Sequence, residues 1–148
     1  MNKFFRIALQ KANEHDYDDL EYHLCAVIVR GGSVVSVGFN KRNTNAFVEH
    51  YTDMARGQRD WCMSTHAEMD CVLQARAKID LDGAKIYVVR KHVNVKKYGT
   101  FALAKPCEIC QHVLYNYGIR RAIYTIDDNN HGTMKIVNPA LEWKEDNK

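Results

Sequence analysis

Proline is scarce in this 148-residue chain, with two residues, and glycine is modest, with eight. That composition excludes collagen-like and Pro/Gly-rich low-complexity chains. No apolar run exceeds about five residues, far short of the roughly 20 that a membrane-spanning helix needs, and the opening Met-Asn-Lys-Phe-Phe-Arg-Ile has no signal-peptide core. Charge of one sign is equally scarce: 21 Lys plus Arg against 18 Asp plus Glu leave +3. So small a surplus does not mark a polyanion binder, although it permits a local basic patch. Five cysteines are an odd number, which a complete disulfide framework cannot absorb. The expectation is one soluble, cytoplasmic domain over residues 1–148, whose 46% hydrophobic and 26% charged residues are those of an ordinary globular chain.

Periodicity divides the chain into short elements. Phe4, Ile7, Ala8 and Lys11 recur at helical spacing in residues 3–13. The β-branched run from His23 to Val29, then Gly31-Gly32, then Ser33 to Phe39 predicts a hairpin. Residues 41–63 have no clean period, and a loop that long predicts short helical turns beside a functional site. Thr65-His-Ala-Glu68 fits a capping box, with Val72, Ala75 and Ile79 on the helix face that follows. Residues 84–89 predict a strand and residues 90–105 a basic loop. Pro106 then introduces a helix over 107–117, and Gly118 closes it before a strand at 122–126. The segment around Met134 and Ile136 fits a further strand or a docked helix. The order implies an α/β domain with a mixed central sheet, in which the strands at 84–89 and 122–126, joined by a helical crossover, run parallel.

The chemistry sits at two helix starts, His66-Ala67-Glu68 and Pro106-Cys107-Glu108-Ile109-Cys110. A lone His-x-Glu arises by chance about once in three chains of this composition, so alone it carries little. Pro-Cys-x-x-Cys arises by chance in only about two per thousand, so it carries much more. Catalytic zinc takes three protein ligands and leaves a fourth position to water, and His66, Cys107 and Cys110 supply three. Cys107 and Cys110, at i and i+3, share a helix face near an N-terminus that favours thiolate. Two thiolates cancel the charge of Zn²⁺. Glu68, two residues from a ligand, is placed to carry a proton.

With His-x-Glu followed by Pro-Cys-x-x-Cys, the chain resembles the zinc-dependent cytidine and deoxycytidylate deaminase superfamily over roughly residues 24–126. The resemblance implies a cytidine-deaminase-like three-layer sandwich and one catalytic zinc. It also implies hydrolysis of the exocyclic amine of a nucleobase, a free nucleotide as substrate, and a homo-oligomer. Carried over by position, His66, Cys107 and Cys110 are ligands, Glu68 is the proton shuttle, Asn40 contacts the sugar and the backbone of Ala67 touches the base. His at the first ligand position is similar to the deoxycytidylate branch, so dCMP is the expected substrate. Gly-Phe-Asn-Lys-Arg and Leu103-Ala-Lys-Pro-Cys depart from that branch's usual Gly-Tyr-Asn-Gly and from its Thr just before Pro-Cys.

Other residues have two readings. Arg42, Arg56 and Arg59 either bind the nucleotide phosphate or stand solvated. Phe47, Tyr51 and Trp61 either wall a base or close the core. Cys25 and Cys71 read as packing thiols. Cys62, with Cys25 or His92, is the alternative for a second, structural zinc. His15, His112 and His131 read as exposed or capping residues, and Leu141 and Trp143 as tail contacts in an oligomer. Lys91, Lys96, Lys97 and Tyr98 raise a second function, deamination of bases in RNA or single-stranded DNA. A third, non-enzymatic reading is a structural-zinc binding module, with Cys62 or Cys71 as fourth ligand.

Overall fold

In the computed structural model, which describes residues 2–54 and 64–138, the apolar run His23–Arg30 forms strand β1, inside a six-stranded mixed sheet. Both its faces are buried, as an apolar strand without alternation requires: Ala26 and Ile28 enter one core, and Cys25, Val27 and Val29 the other. Strand β2 (Ser33–Phe39) folds back on β1 through Gly31 and Gly32, both at positive φ, the two-residue turn that suits strand twist. Helix α1 (Lys3–Glu14) covers one face with Phe5, Ala8 and Ala12. Helices α2 (Ala46–Met54), α3 (Ala67–Ala75) and α5 (Glu108–Asn116) cover the other, giving three layers. Among the described residues no helix is long and apolar enough to cross a membrane.

The remaining strands are β3 (Lys85–Lys91), β4 (Phe101–Ala102), β5 (Arg121–Thr125) and β6 (His131–Lys135), with the short helix α4 (Val95–Tyr98) between β3 and β4. The sheet order is β2-β1-β3-β5-β6, and β4 pairs with β3 off that path. As expected, β3 and β5 are parallel, and β6 is the strand the tail left open. Strand β1 is antiparallel to both β2 and β3, so β2, β3 and β5 all point the same way. Their C-terminal ends meet the start of β1 at one sheet edge, with Cys25 opposite Phe39 and His23 opposite Lys91. Helices α3 and α5 bring their N-termini to that edge, where ligands of α/β sheets collect.

Helix α3 departs from its expected start and length. His66, not Thr65, is its N-cap, and the Thr65 hydroxyl donates to Asn43 O at 2.7 Å instead of capping. The helix ends early because Ala75 O accepts from both Lys78 N and Ile79 N in a tightened last turn, which leaves Ile79 exposed. Its seat on β2 is unusually close. A Cβ at Gly38 would lie 2.3 Å from Cys71 N and 2.5 Å from Ala67 O, both backbone atoms that cannot swing aside. Gly38→Ala should therefore destabilise the protein by ~1–3 kcal/mol or more, read as a lower denaturation midpoint. An unchanged midpoint would mean that α3 can lift off the strand at no cost.

Candidate active site

The segment leading into α3 is fixed before the chemistry begins. Lys41 and Thr65 exchange both backbone hydrogen bonds, at 2.9 and 3.1 Å. Asp70, one turn into α3, is buried and accepts from Phe39 N at 3.0 Å and Lys41 Nζ at 3.0 Å, tying the helix to the end of β2. His66 is thereby held at the N-terminus of α3. Across from it, Cys107 is the N-cap of α5 and Cys110 stands in its first turn.

These three side chains converge. His66 Nδ1 lies 3.5 Å from Cys107 Sγ and 3.4 Å from Cys110 Sγ. One tetrahedral zinc with ordinary Zn–N and Zn–S bond lengths sets its nitrogen and sulfur ligands about 3.5 Å apart, so the triangle fits that ion. Among the described residues this is the one group of three His, Cys, Asp or Glu side chains placed to share a metal. The helix N-terminus beneath the two sulfurs favours their thiolate form.

Glu68 does not cap α3. It is buried beside this triangle, and its Oε1 has no hydrogen-bond partner among the described residues. Burial pushes its carboxyl above the ordinary range, against the opposing pull of His66. An unpaired buried carboxylate oxygen is costly, and such sites are where functional groups are found. In front of it opens a cleft of about 470 Å³, a size suited to a small molecule. Buried Ala67 and Glu68 form its floor beside His66, exposed Cys107 lines it too, and exposed Tyr22, Leu103 and Lys105 with half-buried Arg90 form its mouth.

The other residues singled out from the sequence divide clearly. Asn40 lines the cleft, with Oδ1 accepting from Leu24 N at 2.8 Å and Nδ2 donating to Tyr22 O at 2.7 Å. Ala67, the first residue of α3, is fully buried at the floor. Arg42 pairs with Asp19 on the surface and does not line the cleft. Arg56, Arg59, Trp61, Cys62, Leu141 and Trp143 lie outside the described residues. Phe47 and Tyr51 pack on the core rather than walling a base, their rings 5.1 Å apart. Cys71 sits in the core with Sγ 3.5 Å from Ala26 O, which removes it as a fourth zinc ligand. Cys25 packs under α1. His112 is buried, contrary to its reading as exposed, because it lies on the core side of α5. Lys91, Lys96 and Lys97 do not line the cleft.

Tyr22, Arg90 and Lys105 were not identified from the sequence. Tyr22 and Arg90 come together only through the register that sets the start of β1 against the end of β3. A larger cavity of about 550 Å³ opens at the opposite sheet edge, beside Arg76, Asp82, Tyr117 and Arg120. Among the described residues no cluster of three His, Cys, Asp or Glu side chains lines it, and Arg120 and Asp82 pair with each other at 3.0 Å.

Residues 1–126 match the family model described as the cytidine and deoxycytidylate deaminase zinc-binding region. The chain belongs to the cytidine and deoxycytidylate deaminase family, a class of zinc-dependent hydrolytic deaminases. Among solved structures it is similar to cytidine deaminase from Burkholderia pseudomallei, at 17% identity and TM-score 0.60 over 92% of this chain and 93% of that one. It is also similar to dCMP deaminase from the cyanophage S-TIM5, in complex with dCMP and dUMP, at 15% identity and TM-score 0.54 over 86% and 81%. A third likeness is to a diaminohydroxyphosphoribosylaminopyrimidine deaminase/5-amino-6-(5-phosphoribosylamino)uracil reductase from Thermotoga maritima, at 18% identity and TM-score 0.51. It covers 97% of this chain and 33% of that one. At such identities these likenesses establish the fold. No curated protein matches the sequence.

The cysteines separate by environment, and that is measurable. Burial pushes the Cys25 thiol up to about 12 and raises that of Cys71 further, whereas Cys107 is exposed at a helix N-terminus. In folded, metal-free protein at neutral pH, iodoacetamide should modify Cys107 and spare Cys25 and Cys71, with zinc protecting Cys107, as read by peptide mass mapping. Rapid labelling of Cys25 or Cys71, or no protection of Cys107 by zinc, would contradict the assignment.

Proposed function

We propose that the protein hydrolyses the exocyclic amine of the cytosine ring of a free nucleotide, converting dCMP to dUMP and ammonia. The observation that carries this reading is the buried, unpartnered Glu68 Oε1 beside the His66, Cys107 and Cys110 triangle, at the floor of a small-molecule cleft. The cyanophage protein that shares the fold, held in complex with dCMP and dUMP, supports the choice of nucleotide.

His66, Cys107 and Cys110 would hold the zinc ion, which would supply Lewis acidity able to bring the pKa of a water toward about 7. Glu68 takes a proton from the attacking water and delivers it to the ring nitrogen. The same carboxylate then relays a proton to the amine, so that the C4–N bond breaks, ammonia leaves and a C4 carbonyl forms. The desolvation that raises the affinity of Glu68 for protons suits a group that must both accept and donate. At the floor, the first turn of α3 presents the Ala67 N–H, which has no intrahelical acceptor, toward the base. Asn40 has spent one N–H and one lone pair on the backbone, and keeps one of each for a sugar hydroxyl.

Incubation of zinc-loaded protein with dCMP, dCTP, cytidine and cytosine should yield ammonia fastest from dCMP. Silence on all four with zinc bound would refute the reading. Glu68→Gln should keep stoichiometric zinc and the fold while lowering turnover by about 10²–10⁴-fold, the range typical for loss of a general acid–base group. Unchanged turnover would remove Glu68 from the mechanism. Replacing Cys110 with Ala should release zinc and lower the melting temperature, because metal binding is coupled to folding. Retention of one zinc per chain in that variant would contradict the ligand set. Self-association belongs to the same reading, and sedimentation as a monomer would remove it.

A further inference from the structure

The cleft mouth carries two cations that the hydrolytic steps leave unused. Arg90 is held by its backbone on two sides, opposite Leu24 of β1 and Ala102 of β4. Its N–H donates to Thr125 Oγ1 at 3.2 Å, and the Thr125 hydroxyl donates in turn to Ala102 O at 2.8 Å. Its side chain is held as well. The guanidinium carbon lies 4.2 Å from the centroid of the Tyr22 ring, and Tyr22 is anchored through its carbonyl by the Asn40 amide.

Among the described residues no carboxylate pairs with Arg90. A guanidinium stacked by its face keeps its N–H edge for a planar or tetrahedral oxyanion. Lys105 reaches the same cleft from the segment before α5, with an exposed side chain. Glu68 is the one carboxylate among the described lining residues, and it is buried, whereas Lys105 is exposed. Two cations at the entrance add nothing for a neutral base or nucleoside. They favour a ligand with a concentrated negative charge outside the ring-binding floor, as a phosphomonoester carries. Of the three arginines singled out from the sequence, Arg42 is already paired with Asp19 outside the cleft, and Arg56 and Arg59 lie outside the described residues.

We propose that Arg90 and Lys105 receive the phosphate of a mononucleotide, with Tyr22 holding the guanidinium in position. This rests on the deaminase reading and adds to it the residues that separate nucleotide from nucleoside.

Calorimetric titration of the zinc-loaded protein with dUMP and with deoxyuridine tests it without turnover, alongside KM for dCMP. In wild type dUMP should bind more tightly than deoxyuridine. Arg90→Ala should cut that preference by about 10- to 100-fold and raise KM for dCMP by a similar factor, the scale of a lost charge-assisted contact. Arg90→Lys should recover only part, since an ammonium cannot reproduce the stacked fork. Lys105→Ala, at an exposed position, should cut the preference in the same direction and stands in if Arg90→Ala fails to fold. Lys85→Ala, exposed at the other end of β3, should bind dUMP as wild type does. A wild type that deaminates dCMP, with Arg90→Ala and Lys105→Ala that both keep the full preference for dUMP, overturns the phosphate assignment and leaves the reaction standing. A wild type that deaminates no free cytosine compound overturns the reaction itself. Deamination of an oligonucleotide but not of dCMP overturns the assignment to a mononucleotide.

Discussion

A methyl group at position 38 of β2 would fall within 2.7 Å of three backbone atoms of helix α3, so the helix can lie on the sheet at this height only over glycine. The rest of the site inherits that height. With α3 pressed onto β2, Asp70 reaches Phe39 N and Lys41 Nζ. The Lys41–Thr65 bridge then fixes the chain just ahead of His66. One ligand is thus set by the contact of α3 with the sheet, and the other two by the N-terminus of α5. The parallel pairing of β3 and β5 brings α5 to the same edge. The 3.4–3.5 Å from the His66 nitrogen to both sulfurs of α5 is the sum of those constraints.

Charge is arranged along the depth of the cleft. Deep in the site, two thiolates would match the charge of a zinc ion, and the Glu68 carboxyl is buried with its Oε1 unpartnered among the described residues. At the mouth stand exposed Lys105 and half-buried Arg90, with no carboxylate but Glu68 among the described lining residues. The first arrangement serves bond breaking, because a desolvated carboxyl exchanges protons readily. The second serves recognition, because it acts on a group distant from the reacting carbon. Asn40, half-buried in the cleft wall, holds Tyr22 at the mouth through its side-chain amide.

The zinc-ligand pattern was legible because its information is local. Pro106, Cys107 and Cys110 sit within one helical turn, and His66 and Glu68 within another, so spacing alone assigns their faces. The alternation of apolar strands and amphipathic helices was legible for the same reason, and so was the parallel crossover. The mouth was not legible, because Tyr22 and Arg90 meet only through strand register across 68 positions of chain (90 − 22). Thr65 was misread as a cap because its hydroxyl answers a tertiary demand from Asn43, which no local pattern records. Phe47 and Tyr51 looked like base-stacking walls because aromatic residues in an irregular segment suit either role, and packing against the core decided it.

On the function proposed above, this cleft performs a metal-dependent hydrolysis in which water replaces the amine of a cytosine nucleotide. Its most direct test is one reaction in isotopically labelled water, with purified protein, dCMP, and zinc either bound or removed by chelation and then restored. The dUMP formed should carry one labelled oxygen at C4, with one ammonia released per dUMP, and the activity should be lost with the metal and regained with it. Unlabelled dUMP, or turnover that persists at the full rate in metal-free protein, would contradict it.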